Sequence, residues 1–467
     1  MNKKQLIESF LSMEKELELF SVKIDDVYYW ERIRLGVLND LLYKMNVIGQ
    51  AHTEIELRNG KIVTAVVEVL KHIVKRNPLY VNKSDILFIG HPRRKLGKDN
   101  KWHDIYCDPL IDELVYSYAY FEKPYLPWHL YPAATENLYY LDLPFLISII
   151  VQRLRLVRVK LSNSDCKMIR MIEKKIFEIY KIRIDLLNKV QKKLLKRKSI
   201  IWLFKQLFKK VSPRVIIVVC SYGLETYIEA AKSLGIIVVE LQHGLLSANH
   251  LGYHFPYGSK ETFPDYFLSF GDYWNNVAQF PIDSDRIISV GYPYMEKEVA
   301  KYVNAEKREQ IIFISQGTIG NELSRIALDL SRNDNLKYNI IYKLHPGEYS
   351  RWRKEYPWLI DSGIQVIDNE DYPLYKLFAE SMIQVGVHST ALYEGLVFGL
   401  KTFIVPLNTE LEGMEYLVSE GLAVQIDNVK QLANELINFK KPDSTQIDYF
   451  FKRDALYNIK RFLEEII

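Results

Sequence analysis

Short apolar runs that break into small polar loops recur along the second half of this chain. IIFIS (Ile311 to Ser315) breaks into QGTIGNE, and IIYKL (Ile340 to Leu344) breaks at His345-Pro346. MIQVGV (Met382 to Val387) breaks at His388-Ser389-Thr390 and is followed by the helical pattern ALYEGLVFG and a further apolar run, TFIVP. Uninterrupted apolar runs of this length predict strands buried on both faces, and strands alternating with helical patterns predict a parallel sheet. The same rhythm appears earlier. RVIIVVC (Arg214 to Cys220), LETYIEAAKSLG (Leu224 to Gly235) and IIVVEL (Ile236 to Leu241) read as strand, helix closed by glycine, and strand. SDILFIG (Ser84 to Gly90), PDYFLSFG (Pro264 to Gly271) and DRIISVGYP (Asp285 to Pro293) add strands, and IYCDPLI (Ile105 to Ile111) and ELVYSYAYF (Glu113 to Phe121) fit more of that sheet.

Other stretches follow a helical period. Residues 1 to 80 read as helices, with YYWERIRLGVLNDLLYKM (Tyr28 to Met45) the clearest. Residues 152 to 212 form a long helical block ending at Ser212-Pro213, and the last two dozen residues read as one or two helices. The pattern predicts an α/β chain of two Rossmann-like domains facing a cleft. An acceptor-side domain spans 1–294, helical over 1–80 and with a helical insertion over 152–212. A linker covers 295–309, a nucleotide-binding domain 310–430, and C-terminal helices over 431–467 pack back on the first domain.

Charge changes this picture in one place. The net charge is +4 over 467 residues, but from Gln152 to Arg214 there are 20 Lys/Arg against 4 Asp/Glu, a local +16 that leaves −12 for the remainder. No nucleic-acid recognition motif accompanies the block, so its expected partner is an anionic membrane surface or a phosphorylated acceptor, with a solvated hairpin as the plain alternative. The N-terminus lacks the pattern of a signal peptide, and LPFLISIIV (Leu143 to Val151) is too short to span a bilayer. Cys107, Cys166 and Cys220 match no zinc spacing. Together these predict a cytoplasmic protein, peripheral at the inner face of the membrane if the basic block meets lipid.

Candidate chemistry gathers at the strand ends. His345, held at a strand tip by Pro346, can donate to a phosphate or a nucleobase, and Lys343 adds charge beside it. Ser389 and Thr390 open a helix, where free amides and the helix dipole favour an anion. Glu394 lies one turn on, where a carboxylate can accept two ribose hydroxyls. Gly317 and Thr318 let the backbone approach a diphosphate. These are the expected donor-binding residues. In the first domain, Gln242-His243-Gly244 ends a strand, and His243 is the candidate general base, with Glu225 and Glu240 next in line. His91, Arg93 and Arg94 follow another strand and suit an anionic acceptor. His250 and His254 sit in a Gly/Pro-rich stretch that opposes a metal-binding helix, and Asp283-Ser284-Asp285 reads as turn chemistry, so neither a metal nor another cofactor is expected.

Lys343 to Pro346 and His388 to Thr390 resemble the HP motif and hydroxyl motif of GT-B glycosyltransferases of bacterial capsule and lipopolysaccharide synthesis. That broad group includes the bacterial sialyl- and polysialyltransferases and the CDP-glycerol glycerophosphotransferases. The resemblance covers about Arg214 to Val424. It implies that His345 contacts the donor nucleotide, that Ser389 and Thr390 hold its phosphate, that Glu394 takes the ribose position, and that His243 supplies a base. The Asp/Glu-Asp/Glu-Gly motif of the sialyltransferases and the Asp-Tyr-Ser-Ser of the glycerophosphotransferases are both missing from the sequence, which leaves the donor open. The implied activity is sugar transfer from a nucleotide-activated donor to a glycan or lipid-linked glycan. Polyol-phosphate transfer, nucleotide-sugar 2-epimerisation and a catalytically idle scaffold subunit are the alternatives.

Overall fold

In the computed structural model, residues 1–47, 71–91, 94–123, 129–407, 411–437 and 447–467 are described. Two all-parallel sheets organise them. The first contains β1 (Ile86–Ile89), β2 (Tyr118–Glu122), β3 (Leu138–Tyr140), β4 (Val215–Val219), β5 (Ile237–Leu241), β6 (Tyr266–Ser269) and β7 (Ile287–Ser289), in the spatial order β7-β6-β5-β4-β1-β2-β3. The second contains β8 (Arg308–Ile314), β9 (Asn339–Lys343), β10 (Gln365–Ile367), β11 (Ser381–Gly386), β12 (Lys401–Ile404) and β13 (Ala423–Gln425), ordered β10-β9-β8-β11-β12-β13. Both are Rossmann-like sheets, and they form the two-domain GT-B architecture. In each, chain order reverses at one point, between β1 and β4 in the first and between β8 and β11 in the second. Open parallel sheets bind ligands at the strand ends beside such a reversal.

The central strands are buried on both faces, which is why they read as continuous apolar runs. Between the sheets lies an aromatic core shared by both halves, with Phe267, Phe270, Tyr273 and Trp274 from the first against Leu392, Tyr393 and Phe378 from the second. The Tyr273 and Tyr393 hydroxyls meet at 3.0 Å.

The helices of the first half form a separate layer. We label α1 (Lys3–Glu16), α2 (Trp30–Lys44), α3 (Asp142–Arg153), α4 (Asn163–Tyr180) and α5 (Leu186–Val211). Leu6, Phe10, Trp30, Leu41, Ile172 and Ile176 close a core between α1, α2 and α4. Arg34, fully buried, locks that layer to the sheet domain. It forks onto Glu14 and donates to the carbonyls of Leu251 and His254. The basic block is α4 and α5 with their flanks, and part of its charge faces inward. Lys175 pairs with Glu16, Lys189 with Asp40, Lys193 with Glu225 and Lys198 with Asp25. Its inner face therefore holds the helical layer together as well as meeting solvent.

A helix, Pro293–Lys301, follows β7 and buries Met295 and Glu298. The last helix, Ala455–Ile466, lays Ile459, Phe462 and Leu463 on the first sheet. Gly271 and Gly291 make room for that segment, since a Cβ would approach the Phe450 carbonyl carbon to 2.6 Å and the Lys452 oxygen to 2.2 Å.

One expected strand is absent. Residues 105–111 turn, because the Asp104 carboxylate accepts from the amides of Tyr106 and Cys107, and a short helix, Asp108–Ile111, follows with proline in its first turn. Part of the helical expectation for residues 1 to 80 falls at 48–70, outside the described residues. Among the described residues, no helix is long and apolar enough to cross a membrane.

Candidate active site

The chain reversal of the second sheet brings together two of the expected donor loops. After β8 the chain turns through Gly317, Thr318 and Ile319 into the helix Gly320–Ser331, and after β11 it turns at His388 into the helix Thr390–Val397. Gln316 donates its side-chain amide to the His388 carbonyl, tying the loops together. Ser389 is the helix N-cap and accepts from the Ala391 amide at 3.2 Å. Thr318 is exposed and Ser389 and Thr390 are half-buried.

The loop after β9 lies beside this pair. His345 caps the turn Pro346–Glu348, and its Nδ1 accepts from the Gly347 amide at 3.1 Å. A neutral His345 with Nδ1 so used carries its proton on Nε2, which makes that nitrogen a donor. Fully buried Glu348 braces the region, accepting from the His345 amide (2.7 Å), the Ser315 hydroxyl (3.0 Å) and the Tyr356 hydroxyl (2.8 Å). Gly320 must lack a side chain, because a Cβ would sit 2.1 Å from Glu348 Oε1. Arg351 spans the loops, donating to the carbonyls of Gly317 and Gly347.

Glu394, half-buried, accepts from the Tyr375 hydroxyl at 2.7 Å. Burial raises its pKa, opposed by the Tyr375 hydrogen bond and by the charge of Lys95 in the other half of the molecule. Lys343 corrects the sequence reading. It is 7% exposed and donates to the Tyr349 hydroxyl (2.7 Å) and the Asn369 carbonyl (2.8 Å). Its stem belongs to a strand with both faces covered, so the ammonium is spent inside the domain.

Opposite, at the end of β5, His243 stands in a hydrogen-bonded chain. Glu240 is fully buried and accepts from the Ser221 amide (2.9 Å) and the Tyr253 hydroxyl (2.5 Å). The Tyr253 oxygen lies 3.3 Å from His243 Nδ1, and the Tyr222 hydroxyl 3.2 Å from His243 Nε2. Tyr253 has one hydroxyl proton and gives it to Glu240, so the bond to His243 needs the proton on Nδ1. That leaves Nε2 as the basic nitrogen, with Tyr222 as its donor. Gln242 fixes the turn by donating to the Gly244 carbonyl and accepting from the Phe270 amide. A Cβ on Gly244 would lie 3.8 Å from Thr390 Oγ1. The loop of His243 and Gly244 and the loop of Ser389 and Thr390 therefore face each other directly.

His91 joins this wall, its ring stacked 6.2 Å from that of His243. Arg93 lies outside the described residues. Arg94 is not an acceptor contact. It is 5% exposed and bonds to Glu122 (2.6 Å) and the Thr135 hydroxyl (2.7 Å), with its guanidinium over the Tyr120 ring. The next residues in this network are Glu122, His129 and Asp142. Among the described residues, His72, His129 and Asp142 are the one group of His, Cys or acidic side chains spaced as metal ligands. Both ring nitrogens of His129 lie at hydrogen-bond distance from carboxylates, Glu122 (2.9 Å) and Asp142 (2.8 Å). Asp283 to Asp285 lie in an exposed turn.

Tyr222, Tyr253 and Arg351 escaped the sequence reading, and Glu240 entered it only as a substitute base. Tyrosine beside His243 carries no spacing signal, because Tyr222 and Tyr253 arrive from different loops. Arg351 lies six residues past His345, and nothing in the sequence ties it to the glycine loop 34 residues earlier.

No protein-family model matches this chain, and no curated protein matches it. Among solved structures, it is similar to the UDP-GlcNAc 2-epimerase of Methanocaldococcus jannaschii (11% identity, 81% of this chain and 99% of that one, TM-score 0.47). It is also similar to the UDP-GlcNAc 2-epimerase of Neisseria meningitidis bound to UDP-GlcNAc (13%, 82% and 98%, 0.46). A third is the wall teichoic acid polymerase TagF (12%, 87% and 94%, 0.43).

Proposed function

We propose that this protein is a glycosyltransferase. The second domain holds a nucleotide-activated sugar, the first domain holds the acceptor, and His243 removes the acceptor proton. The observation that carries the reading is the placement of His243 Nε2. Glu240 and Tyr253 fix its tautomer, and the adjoining Gly244 faces Thr390 across the cleft. An acceptor hydroxyl would displace the Tyr222 hydroxyl from Nε2. Its oxygen would then attack the sugar carbon, the bond from that carbon to the phosphate oxygen would break, and the proton would pass to His243. The leaving phosphate would take the electron pair and be met by the amides and dipole at the start of the Thr390–Val397 helix, the Ser389 and Thr390 hydroxyls, and His345. Glu394 would accept the ribose hydroxyls.

A glycan carried on lipid suits this reading, because the first domain has an amphiphilic face. Leu146, Ile149 and Ile150 on α3 are exposed, as are Leu154, Leu156 and Trp202. Arg153, Arg155, Arg158 and Lys160 stand among them, also exposed. Apolar residues rimmed by cations match an anionic bilayer surface. Pelleting with anionic vesicles at low salt is expected, weakened by salt and by Leu146→Ser with Ile149→Ser. Failure to pellet would remove the membrane from the proposal.

Thermal unfolding with CMP, CDP, UDP, GDP and TDP tests the core of the reading, since a nucleotide bound to the native state raises the transition by mass action. No shift with any of them would refute it. Conversion of a nucleotide sugar without an acceptor would identify an epimerase instead.

A further inference from the structure

On its other side, the wall that carries His243 opens into a cavity of about 460 Å³ lined by α2, α5, the loop after β4 and Lys260. No residue of the second sheet lines it. Cations dominate. Arg34 and Lys189 are spent on Glu14 and Asp40, and Lys193 on Glu225. Lys192, Lys196 and Lys260 remain, with no carboxylate at ion-pair distance among the described residues. Arg32 also lines the cavity, 7% exposed, with one Nη donating to Glu229.

Burial pulls the Lys260 pKa down despite its carboxylate neighbours. Burial works against ionisation of Glu225, yet Lys193 and Lys260 hold its pKa below the usual carboxylate range. Burial raises the pKa of Glu31, the second carboxylate of the lining.

Tyr222 connects this cavity to the base. It lines the cavity, and its hydroxyl is the group 3.2 Å from His243 Nε2. We propose that the cavity binds a phosphate or diphosphate group of the acceptor, so that the rest of the acceptor passes Tyr222 and presents its hydroxyl to His243. Three ammonium groups without an ion-pair partner among the described residues suit a multiply charged phosphate better than a single carboxylate. The volume leaves room for the group attached to it. This assignment rests on the transferase reading, and it replaces the loop at Arg94 as the acceptor's anion site.

Isothermal titration of the full chain with inorganic pyrophosphate tests it, without any donor. Lys192→Gln with Lys196→Gln should weaken pyrophosphate binding by roughly tenfold or more. Both lysines are exposed at the cavity mouth, so the fold should stand, and Lys192→Arg with Lys196→Arg should restore affinity. Nucleotide affinity should not change. Unaltered pyrophosphate binding in the glutamine variant, or its competitive displacement by the nucleotide, would overturn the site. Geranyl diphosphate probes the attached group: affinity equal to that of pyrophosphate fits a soluble acceptor and greater affinity a lipid-linked one. Binding about tenfold weaker would show a cavity closed to substituents and overturn the acceptor assignment. A wild-type chain that binds pyrophosphate but no nucleotide would refute the transferase reading and leave the anion site intact.

Discussion

Where β4 and β5 end, beside the reversal of the first sheet, four titratable side chains, Glu240, Tyr253, His243 and Tyr222, form one hydrogen-bonded chain. At the reversal of the second, the loops are joined through backbone atoms. The His388 carbonyl takes the Gln316 amide, the Gly317 carbonyl takes Arg351, and Ser389 caps a helix. Both start from a parallel strand running into a loop, so the difference lies in the loops. A wall of amides and hydroxyls can hold an anion without exchanging protons with it. A wall of linked imidazole, phenol and carboxylate can fix a tautomer and take a proton. The proposed function allots binding and proton transfer to opposite sides of one cleft.

The sharpest way to break this division is at His243. His243→Asn should lower turnover by roughly 10²–10⁴-fold while nucleotide affinity, measured by titration calorimetry, stays at the wild-type value. Near-normal turnover would pass the base role to Glu240 or Glu225. His345→Ala and Glu394→Ala should do the reverse, each weakening nucleotide binding by about 1.5–3 kcal/mol in a folded protein. Unchanged affinity in both would place the nucleotide elsewhere.

Gly320→Ala sharpens the contrast through stability. The added methyl meets Glu348, the brace of the second wall, and should cost about 1–3 kcal/mol in urea unfolding. A neutral result would mean that the brace yields easily.

Acidity separates the walls further. Burial raises the Glu394 pKa, so the carboxylate that would accept ribose protonates at a higher pH than an ordinary glutamate. Nucleotide affinity should be full above that pKa and decline as pH falls through it. Glu394→Gln should flatten the profile, and an unchanged decline in that variant would assign the titration to another group. The smallest expected effect is none at all, because the proposed function meets the phosphate with hydroxyls, amides and His345, and Asp283 to Asp285 lie in a turn. EDTA should leave turnover intact, and a loss reversed by magnesium or manganese would contradict this.

Much of the architecture could be read in the sequence because buried parallel strands leave uninterrupted apolar runs, and the loops that end them stand out by contrast. Ile340 to Pro346 and Met382 to Thr390 are of this kind, and the second-sheet loops at Gly317, His345 and Ser389 lie side by side. Errors came where a tertiary partner decides. Arg94 follows a strand just as His91 does, but Glu122, 28 residues on, draws it inward. Lys343 looked available beside His345, although the Tyr349 hydroxyl and the Asn369 carbonyl, 26 residues on, draw its ammonium inward. The lysine cavity escaped because Lys260 and Arg32 lie more than two hundred residues apart, and within the basic block nothing separates a paired lysine from an unpaired one.

The chain passes from one sheet to the other at the Pro293–Lys301 helix. It returns before its last helix, which seats on the first sheet after Leu432 and Leu436 have packed on the second. Between these crossings lies the aromatic core to which both sheets contribute, with the Tyr273 and Tyr393 hydroxyls 3.0 Å apart. Parting the sheets would wet that core, so the same apolar packing that joins the halves also sets the span from Thr390 to Gly244.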